Sequence, residues 1–233
     1  MRLLLLSNST SFGSGYLDHA MAAVRAHLLG VRRLHFVPFA LRDEATYAQK
    51  VGERFAAEGI EVVRLTANAA GAAALKSAEA VFVGGGNTFR LLHQLQRSGL
   101  LEGLRARARA GMPYLGASAG TNIAAPTIRT TNDMPIVEPR GFGALGLVPF
   151  QINPHYLDAD PSSRHMGETR EQRLREYLEE NETPVVGLRE GAWLRLEGNS
   201  LRLEGQNGAR IFRPRQEPEE VPPGRALDEL LRA

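Results

Sequence analysis

Short apolar runs alternate with longer segments of helical periodicity through the first half of the chain. Strands are predicted over residues 2–7, 33–39, 60–65, 80–84 and 113–117. Helices are predicted over residues 16–29 and 42–58, in a short alanine-rich segment after the third strand, and in a long segment that starts near Thr88. This alternation is typical of a parallel sheet covered by helices on both faces, so we expect a three-layer α/β protein.

The pattern changes after Pro126. Residues 127–150 are rich in turn residues and β-formers, which predicts hairpins or a long excursion from the sheet. Further elements are predicted over residues 169–180 (a helix capped by Thr169), 184–189 (a strand) and 192–205 (a hairpin turning at Gly198 and Asn199). The tail, residues 214–233, is rich in proline and charge and ends in a short helix. We see no repeat and no second core, and therefore expect one domain over residues 1–233.

Composition removes several classes of function. Apolar residues make up 43% and charged residues 23%, and the formal charge of +2 does not call for a nucleic-acid or membrane partner. The basic residues are 26 arginines and only 2 lysines. No cysteine is present, which excludes disulfides, thiolate catalysis and cysteine-based zinc sites. The leucines at residues 3–6 are too short a run for a signal peptide and are interpreted as a buried strand, so we expect a cytoplasmic protein.

A single serine stands among small residues in the segment GASAG, residues 116–120. A strand followed by a helix around this segment would place Ser118 on a tight turn at the carboxyl end of the sheet, where bulky neighbours would clash. The Ala119 N–H would then face developing negative charge, as one donor of an oxyanion hole. The alternative is a closely packed strand-to-helix turn in which Ser118 is only an N-cap.

A glycine-rich segment, FVGGGNTFRLL, has the same order of strand, small residues and helix. If its strand neighbours the strand before Ser118, the N–H of Gly85 or Gly86 supplies the second oxyanion donor, and Asn87 orients substrate. Glycines of this kind also cradle phosphates, but neither Gly-Lys-Ser/Thr nor GxGxxG is present, which disfavours a dinucleotide site.

A base and an acid follow in chain order. His155 ends a β-like run and follows a proline, which suits a loop position for a general base. His165 is the fallback base, whereas the other histidines fall inside helices or strands (His19, His27, His35 and His93). Glu190 ends the strand over residues 184–189, which we expect in the same sheet as Ser118, and would hold the imidazole tautomer unless it is simply a surface glutamate. The acid follows the histidine, which disfavours a conventional lipase or esterase.

Six ordered motifs, GGGNTF, GASAGTNIA, NDMPIV, NPHY, GETREQR and GLREG, together resemble peptidase E, the family of α-aspartyl dipeptidase serine peptidases. The similarity covers the chain from the first strand to about residue 213. It implies a flavodoxin-like fold related to class I glutamine amidotransferases, hydrolysis of dipeptides with an N-terminal aspartate, and no need for a metal or other cofactor.

The same resemblance assigns roles to individual residues. Ser118 is implied as the nucleophile, His155 as the base and Glu190 as the acid, although Arg189 stands where the family has proline. Asp133 is implied as a required residue, either stabilising a turn or binding the substrate ammonium.

A cation is also needed for the aspartate side chain of the substrate, and Arg170 in GETREQR is our first choice over Arg173 and Arg175. The expected partner is a small peptide with an N-terminal aspartate. A homodimer stays open.

Three other functions remain open from the sequence. A cyanophycinase-like peptidase would cleave β-aspartyl–arginine units, a non-catalytic module of this fold would bind an anion through its glycine loops, and a general esterase would prefer simple esters.

Overall fold

The computed structural model describes residues 1–160, 162, 164 and 166–232. Its strands are Arg2–Leu6 (β1), Arg33–Val37 (β2), Glu61–Arg64 (β3), Ala80–Val83 (β4), Tyr114–Ala117 (β5), Gln151–Tyr156 (β6), Val185–Arg189 (β7), Ala192–Glu197 (β8), Ser200–Gly205 (β9), Ala209–Phe212 (β10) and Glu219–Val221 (β11). Its α-helices are Met21–His27 (α1), Glu44–Ala56 (α2), Ala69–Lys76 (α3), Thr88–Ser98 (α4), Leu100–Arg109 (α5), Ala119–Asn122 (α6) and Arg170–Glu179 (α7), and short 3₁₀ turns span Asp18–Ala20 and Asp228–Arg232.

The larger sheet has the strand order β3-β2-β4-β5-β1-β8-β9. Its first five strands are parallel, whereas β8 and β9 form the predicted hairpin and run antiparallel to β1. Leu3 and Leu5 of β1 pack with the leucines of α4 and α5, while Leu4 and Leu6 pack with buried residues of α1 and α2. Because successive side chains of a strand point to opposite faces, both faces of the sheet are covered. The predicted α/β class is confirmed.

A second sheet has the order β11-β10-β7-β6 and packs into the same buried cluster as Leu3 and Leu5. Here one prediction is wrong: β7, the strand before Glu190, lies in this sheet and not in the sheet that carries Ser118. The physical reason is that β5 and β8 occupy both edges of β1, so that β7 pairs instead with β6 and β10.

Several predicted boundaries also differ from the structure. The predicted helix over 16–29 is shorter, because Leu17 adopts a positive φ of 63° and a 3₁₀ turn precedes α1. The long helix from Thr88 is split by Gly99, at φ 71°, into α4 and α5. Residues 127–150 form an excursion that contains one isolated bridge, between Thr127 and Gly143. The strands β10 and β11 were not predicted.

Candidate active site

Ser118 lies on the sharp turn between β5 and α6. Its backbone has φ 53° and ψ −110°, a conformation that costs a residue other than glycine about 1–3 kcal/mol. The Ser118 N–H donates to Leu6 O over 3.1 Å, and the Thr121 hydroxyl donates to the same oxygen over 2.6 Å. The end of β1 therefore holds the turn in its strained form.

The small residues around Ser118 are required by close backbone contacts. A Cβ on Gly120 would lie 2.0 Å from Val83 O, and one on Gly116 would lie 2.6 Å from Gly120 O. A Cβ on Gly85 would meet the Ser118 Cβ at 3.0 Å. Because these positions are glycines, β4, β5 and α6 approach closely enough for the glycine loop after β4 to reach the serine.

His155 is held by a buried serine at the end of β1. The ladder between β6 and β7 shifts register at His155, which has φ 54°. The His155 N–H donates to Ser7 Oγ over 2.9 Å, and Ser7 Oγ donates to Leu188 O over 2.8 Å. Because a bulge re-aims the side chain at the shifted position, this arrangement points the imidazole away from its own sheet.

A chain of hydrogen bonds joins the three side chains named from the sequence. His155 Nε2 lies 2.9 Å from Ser118 Oγ, and His155 Nδ1 lies 2.6 Å from Glu190 Oε1. A carboxylate only accepts, so Nδ1 carries the proton and Nε2 accepts from the serine hydroxyl. The imidazole is thus in the tautomer that a general base requires.

Glu190 stands directly after β7 and is fixed through its backbone. Its carbonyl accepts from Asn207 Nδ2 over 2.7 Å, and the N–H of Gly191 donates to Asn8 Oδ1 over 2.8 Å. The Glu190 side chain is 56% exposed, which weakens its electrostatic effect on the imidazole. The preceding Arg189 forms ion pairs with Asp158 and Glu220, which raise the pKa of its guanidinium. These two carboxylates, and not Glu190, neutralise the charge of Arg189.

Backbone N–H groups lie beside Ser118 on two sides. Ala119 N–H and Gly86 N–H make no hydrogen bond to any residue that the structure describes. The N–H of Gly85, in contrast, donates to Tyr47 Oη over 2.9 Å. Of the two glycines expected as oxyanion donors, Gly86 is therefore the one whose N–H is available.

Asn87 and Asp133 build the beginning of α4. Asn87 is its N-cap, accepting from Arg90 N over 3.0 Å and donating to Met134 O over 2.8 Å. Asp133 Oδ2 accepts from both the N–H and the hydroxyl of Thr88, over 2.7 and 2.6 Å. The amide of Asn87 is occupied by protein partners, which argues against its expected role of orienting substrate. Asp133 fixes the excursion to the helix.

Arg170 is half-buried at the start of α7, whose N-terminus has the capping box of Thr169 and Gln172. Burial and the neighbouring Arg173 lower the pKa of the Arg170 guanidinium, while Asp133 acts in the opposite direction. Arg173 and Arg175 form ion pairs with glutamates, whereas Arg170 has no ion pair within the described residues. Arg170 lines two crevices and does not line the cavity at Ser118. Asp133 lines a third crevice, which Arg170 does not line.

The four other histidines that the structure describes make no hydrogen bond to Ser118. His27 and His35 are buried, His93 bonds to Glu138 O over 2.9 Å, and His19 lies against the Trp193 ring. The fallback base, His165, lies outside the described residues.

A cavity of about 540 Å³ opens beside Ser118 and His155, and sequence reasoning did not identify its other wall. Tyr16, Tyr47 and Lys50 line that wall, and the two phenols lie 3.3 Å apart. Burial raises the pKa of both phenols, so they stay protonated near neutral pH. The sequence alone could have drawn attention to Lys50, because it is one of only 2 lysines beside 26 arginines.

Across the described ranges, no cluster of three or more His, Asp or Glu side chains is placed to bind a metal ion. Nor does any helix in the described part of the chain have the length and apolar character needed to cross a membrane.

In this site a serine hydroxyl, an imidazole and a carboxylate are hydrogen-bonded in this order at the carboxyl end of an α/β sheet. Beside them lie two N–H groups that have no partner among the described residues. This arrangement defines the class of serine hydrolases. Comparison with known proteins gives the particular family. Residues 3–204 match the family described as Peptidase family S51. The chain belongs to this family, and the resemblance carried by the six motifs is confirmed.

The relatives are similar over their whole length. The chain is 58% identical to "Peptidase E" of Streptomyces coelicolor over 231 residues, which cover 99% of this chain and 95% of that protein. It is 45% identical to "Probable alpha-aspartyl dipeptidase" of Drosophila melanogaster, covering 98% and 97% of the two chains. The crystal structure of a peptidase from an acI-B1 actinobacterium superposes with a TM-score of 0.73 at 14% identity, over 97% and 96% of the chains, which shows the shared fold.

Proposed function

We propose that this protein is a serine dipeptidase that hydrolyses the peptide bond after an N-terminal aspartate in Asp-X dipeptides. The observation that carries this proposal is the hydrogen-bonded chain from Ser118 through His155 to Glu190 beside an open cavity. The name of the similar Drosophila protein, "Probable alpha-aspartyl dipeptidase", supports the aspartyl dipeptide as substrate.

In the first step, Ser118 Oγ attacks the aspartyl carbonyl carbon, and His155 Nε2 takes the hydroxyl proton. The carbonyl oxygen becomes negative and accepts from Ala119 N–H and Gly86 N–H. Glu190 stabilises the imidazolium that forms. His155 then protonates the leaving nitrogen, the carbon–nitrogen bond breaks, and the second residue departs as a free amino acid.

In the second step, water attacks the acyl-enzyme. His155 Nε2 accepts a proton from the water, and the same two N–H groups hold the oxyanion again. Collapse of this intermediate returns the proton to Ser118 Oγ and releases aspartate.

Recognition of the aspartyl residue is proposed for Asp133 and Arg170. Asp133 Oδ1 makes no hydrogen bond to the described residues, and Arg170 beside it has no ion pair there. An anion and a cation side by side match the ammonium and side-chain carboxylate of an N-terminal aspartate. Because the Asn87 side chain is already hydrogen-bonded, its proposed role is to hold the start of α4 against the excursion.

A screen of dipeptides tests the proposal. The wild type should cleave Asp-Leu far faster than Asn-Leu or Glu-Leu, and Ser118→Ala should lose turnover by a factor on the order of 10⁶. Faster cleavage of β-Asp-Arg would favour the cyanophycinase-like alternative, and faster turnover of p-nitrophenyl acetate would favour an esterase. Near-normal Asp-Leu cleavage by Ser118→Ala would refute the mechanism.

The homodimer that the sequence leaves open belongs to the same proposal. Large apolar side chains are exposed on the excursion and after β6, among them Met134 at 75% and Leu157 at 72%. Light scattering that gives the mass of a single chain would exclude the dimer. The cytoplasmic location stays a prediction.

A further inference from the structure

The cavity beside Ser118 has a positively charged wall that the proposed mechanism leaves unused. Lys50 of α2 and Arg42, just before that helix, both line it. Neither side chain has a hydrogen bond or ion pair among the residues that the structure describes. The acidic residue in the wall, Asp43, is engaged as the N-cap of α2, where it accepts from Thr46 N over 3.0 Å. The wall therefore offers two cations and a single carboxylate that already has a partner.

Charged residues lie on both faces of the sheet that carries the nucleophile, Lys50 on the side of α2 and Asp133 on the side of α4. Helix α2 packs on the face of the sheet that contains Leu4 and Leu6, whereas α4 packs on the opposite face. The loop of Gly85 and Gly86 lies at the sheet edge between them, with Gly85 bonded to Tyr47 of α2 and the next residues leading into α4. A substrate whose carbonyl carbon meets Ser118 would extend toward one charged group on each side.

The chemistry of the two groups determines which end of the substrate each one fits. The α4 side has Arg170 next to Asp133, a cation and an anion that together suit the zwitterionic aspartyl residue. The α2 side has cations without an available anion, which suits a group that carries negative charge alone. In an Asp-X dipeptide the leaving residue carries such a group, its C-terminal carboxylate.

We infer that Lys50, assisted by Arg42, binds the C-terminal carboxylate of the leaving residue. This inference rests on the proposed function and adds a subsite to it. Lys50 Nζ lies 4.9 Å from the centroid of the Tyr16 ring, a cation–π contact that holds the ammonium over the cavity. Tyr16 is in turn fixed by its phenol contact with Tyr47. The ammonium thus lies over a rigid aromatic wall, although the lysine side chain is exposed.

The subsite explains why a dipeptide would be preferred over a longer or blocked peptide. A free carboxylate forms a charge-assisted bond with Lys50, whereas an amide does not. For a partly solvated contact we expect a preference of about tenfold in kcat/KM, expressed mainly in KM.

The test compares Asp-Leu with aspartyl-leucinamide, which differs only in the charge at its C-terminus. The wild type should prefer Asp-Leu by about tenfold. Lys50→Gln should lose that preference by raising KM for Asp-Leu while leaving the amide unchanged, and Lys50→Arg should restore part of it. Lys76→Gln, which changes the other lysine of the chain on the exposed surface of α3, is the matched control and should change neither substrate.

Three results would overturn the inference. An equal loss of both substrates in Lys50→Gln would mean that Lys50 binds the aspartyl side chain or supports the fold. An unchanged preference in Lys50→Gln would mean that the carboxylate binds elsewhere. If the wild type cleaves neither substrate, the proposed function itself fails, and this subsite fails with it.

Discussion

Ser7 connects the two sheets at the position where His155, the proposed base, is held. Its side chain is fully buried, and its hydroxyl accepts from His155 N–H and donates to Leu188 O. The change Ser7→Ala removes both bonds and leaves a buried N–H and a buried carbonyl without a partner. We expect this single oxygen to affect both stability and catalysis.

The magnitude follows from the two contacts. A buried polar group left unsatisfied costs about 1–3 kcal/mol, so the free energy of unfolding should fall by roughly 2–6 kcal/mol for the pair. The backbone of His155 is itself strained at φ 54°, by about 1–3 kcal/mol. Without the bond to Ser7 this strain can relax, which would move the imidazole away from Ser118. A displacement of about 1 Å can reduce turnover by a factor of about 100.

Urea unfolding and steady-state kinetics on Asp-Leu measure the two effects. Ser7→Ala should lower kcat by about 10- to 100-fold with a smaller change in KM. The control is Ser77→Ala, which removes a hydroxyl that bonds only to Ala74 O at the exposed end of α3. If Ser7→Ala keeps wild-type kcat while losing stability, Ser7 does not position His155 and the reasoning is refuted.

Other changes have equally definite expectations. Glu190→Gln keeps the shape of the acid but not its charge, and should lower kcat on Asp-Leu by roughly 10²- to 10⁴-fold without unfolding the protein. Gly120→Ala would place a Cβ 2.0 Å from Val83 O and should lower the free energy of unfolding in urea by about 3 kcal/mol or more. Gly52→Ala, in α2 with nothing within 4 Å of the added Cβ, should instead raise it by about 0.5–1 kcal/mol. Burial lowers the pKa of His27 from 6.5 to about 4, so the unfolded chain takes up the proton first as the pH falls. Stability should therefore fall by roughly 3 kcal/mol between these pH values, and His27→Gln should flatten that part of the curve.

The alternation of strands and helices predicted the parallel part of the larger sheet well, because local apolar periodicity reports burial directly. Placing β7 in that sheet failed for a different reason. Its composition does not reveal whether an edge of β1 is available, and β8, which follows β7 along the chain, occupies that edge. The excursion over residues 127–150 lacks regular pairing, so its turn-rich composition could predict a departure from the sheet but not its path.

Residues of the candidate site differ in how far the sequence could indicate them. Ser118 stood out because close packing forces glycines around it, and that requirement is local. The preference for Gly86 over Gly85 depends on Tyr47, which is 38 residues away and whose phenol occupies the Gly85 N–H. Ser7 carries no motif, and its importance follows only from what it approaches in the folded chain. Lys50 is set apart in the sequence only by the rarity of lysine, which it shares with Lys76.

The central claim is that His155 and Glu190 activate the Ser118 hydroxyl. Reaction with a fluorophosphonate probe, followed by mass spectrometry of the peptides, tests it most directly. The account predicts one adduct on Ser118 in the wild type, strongly slowed labelling in His155→Ala, and none in Ser118→Ala. Labelling of the wild type at another residue, or equally fast labelling of Ser118 without the imidazole, would contradict it.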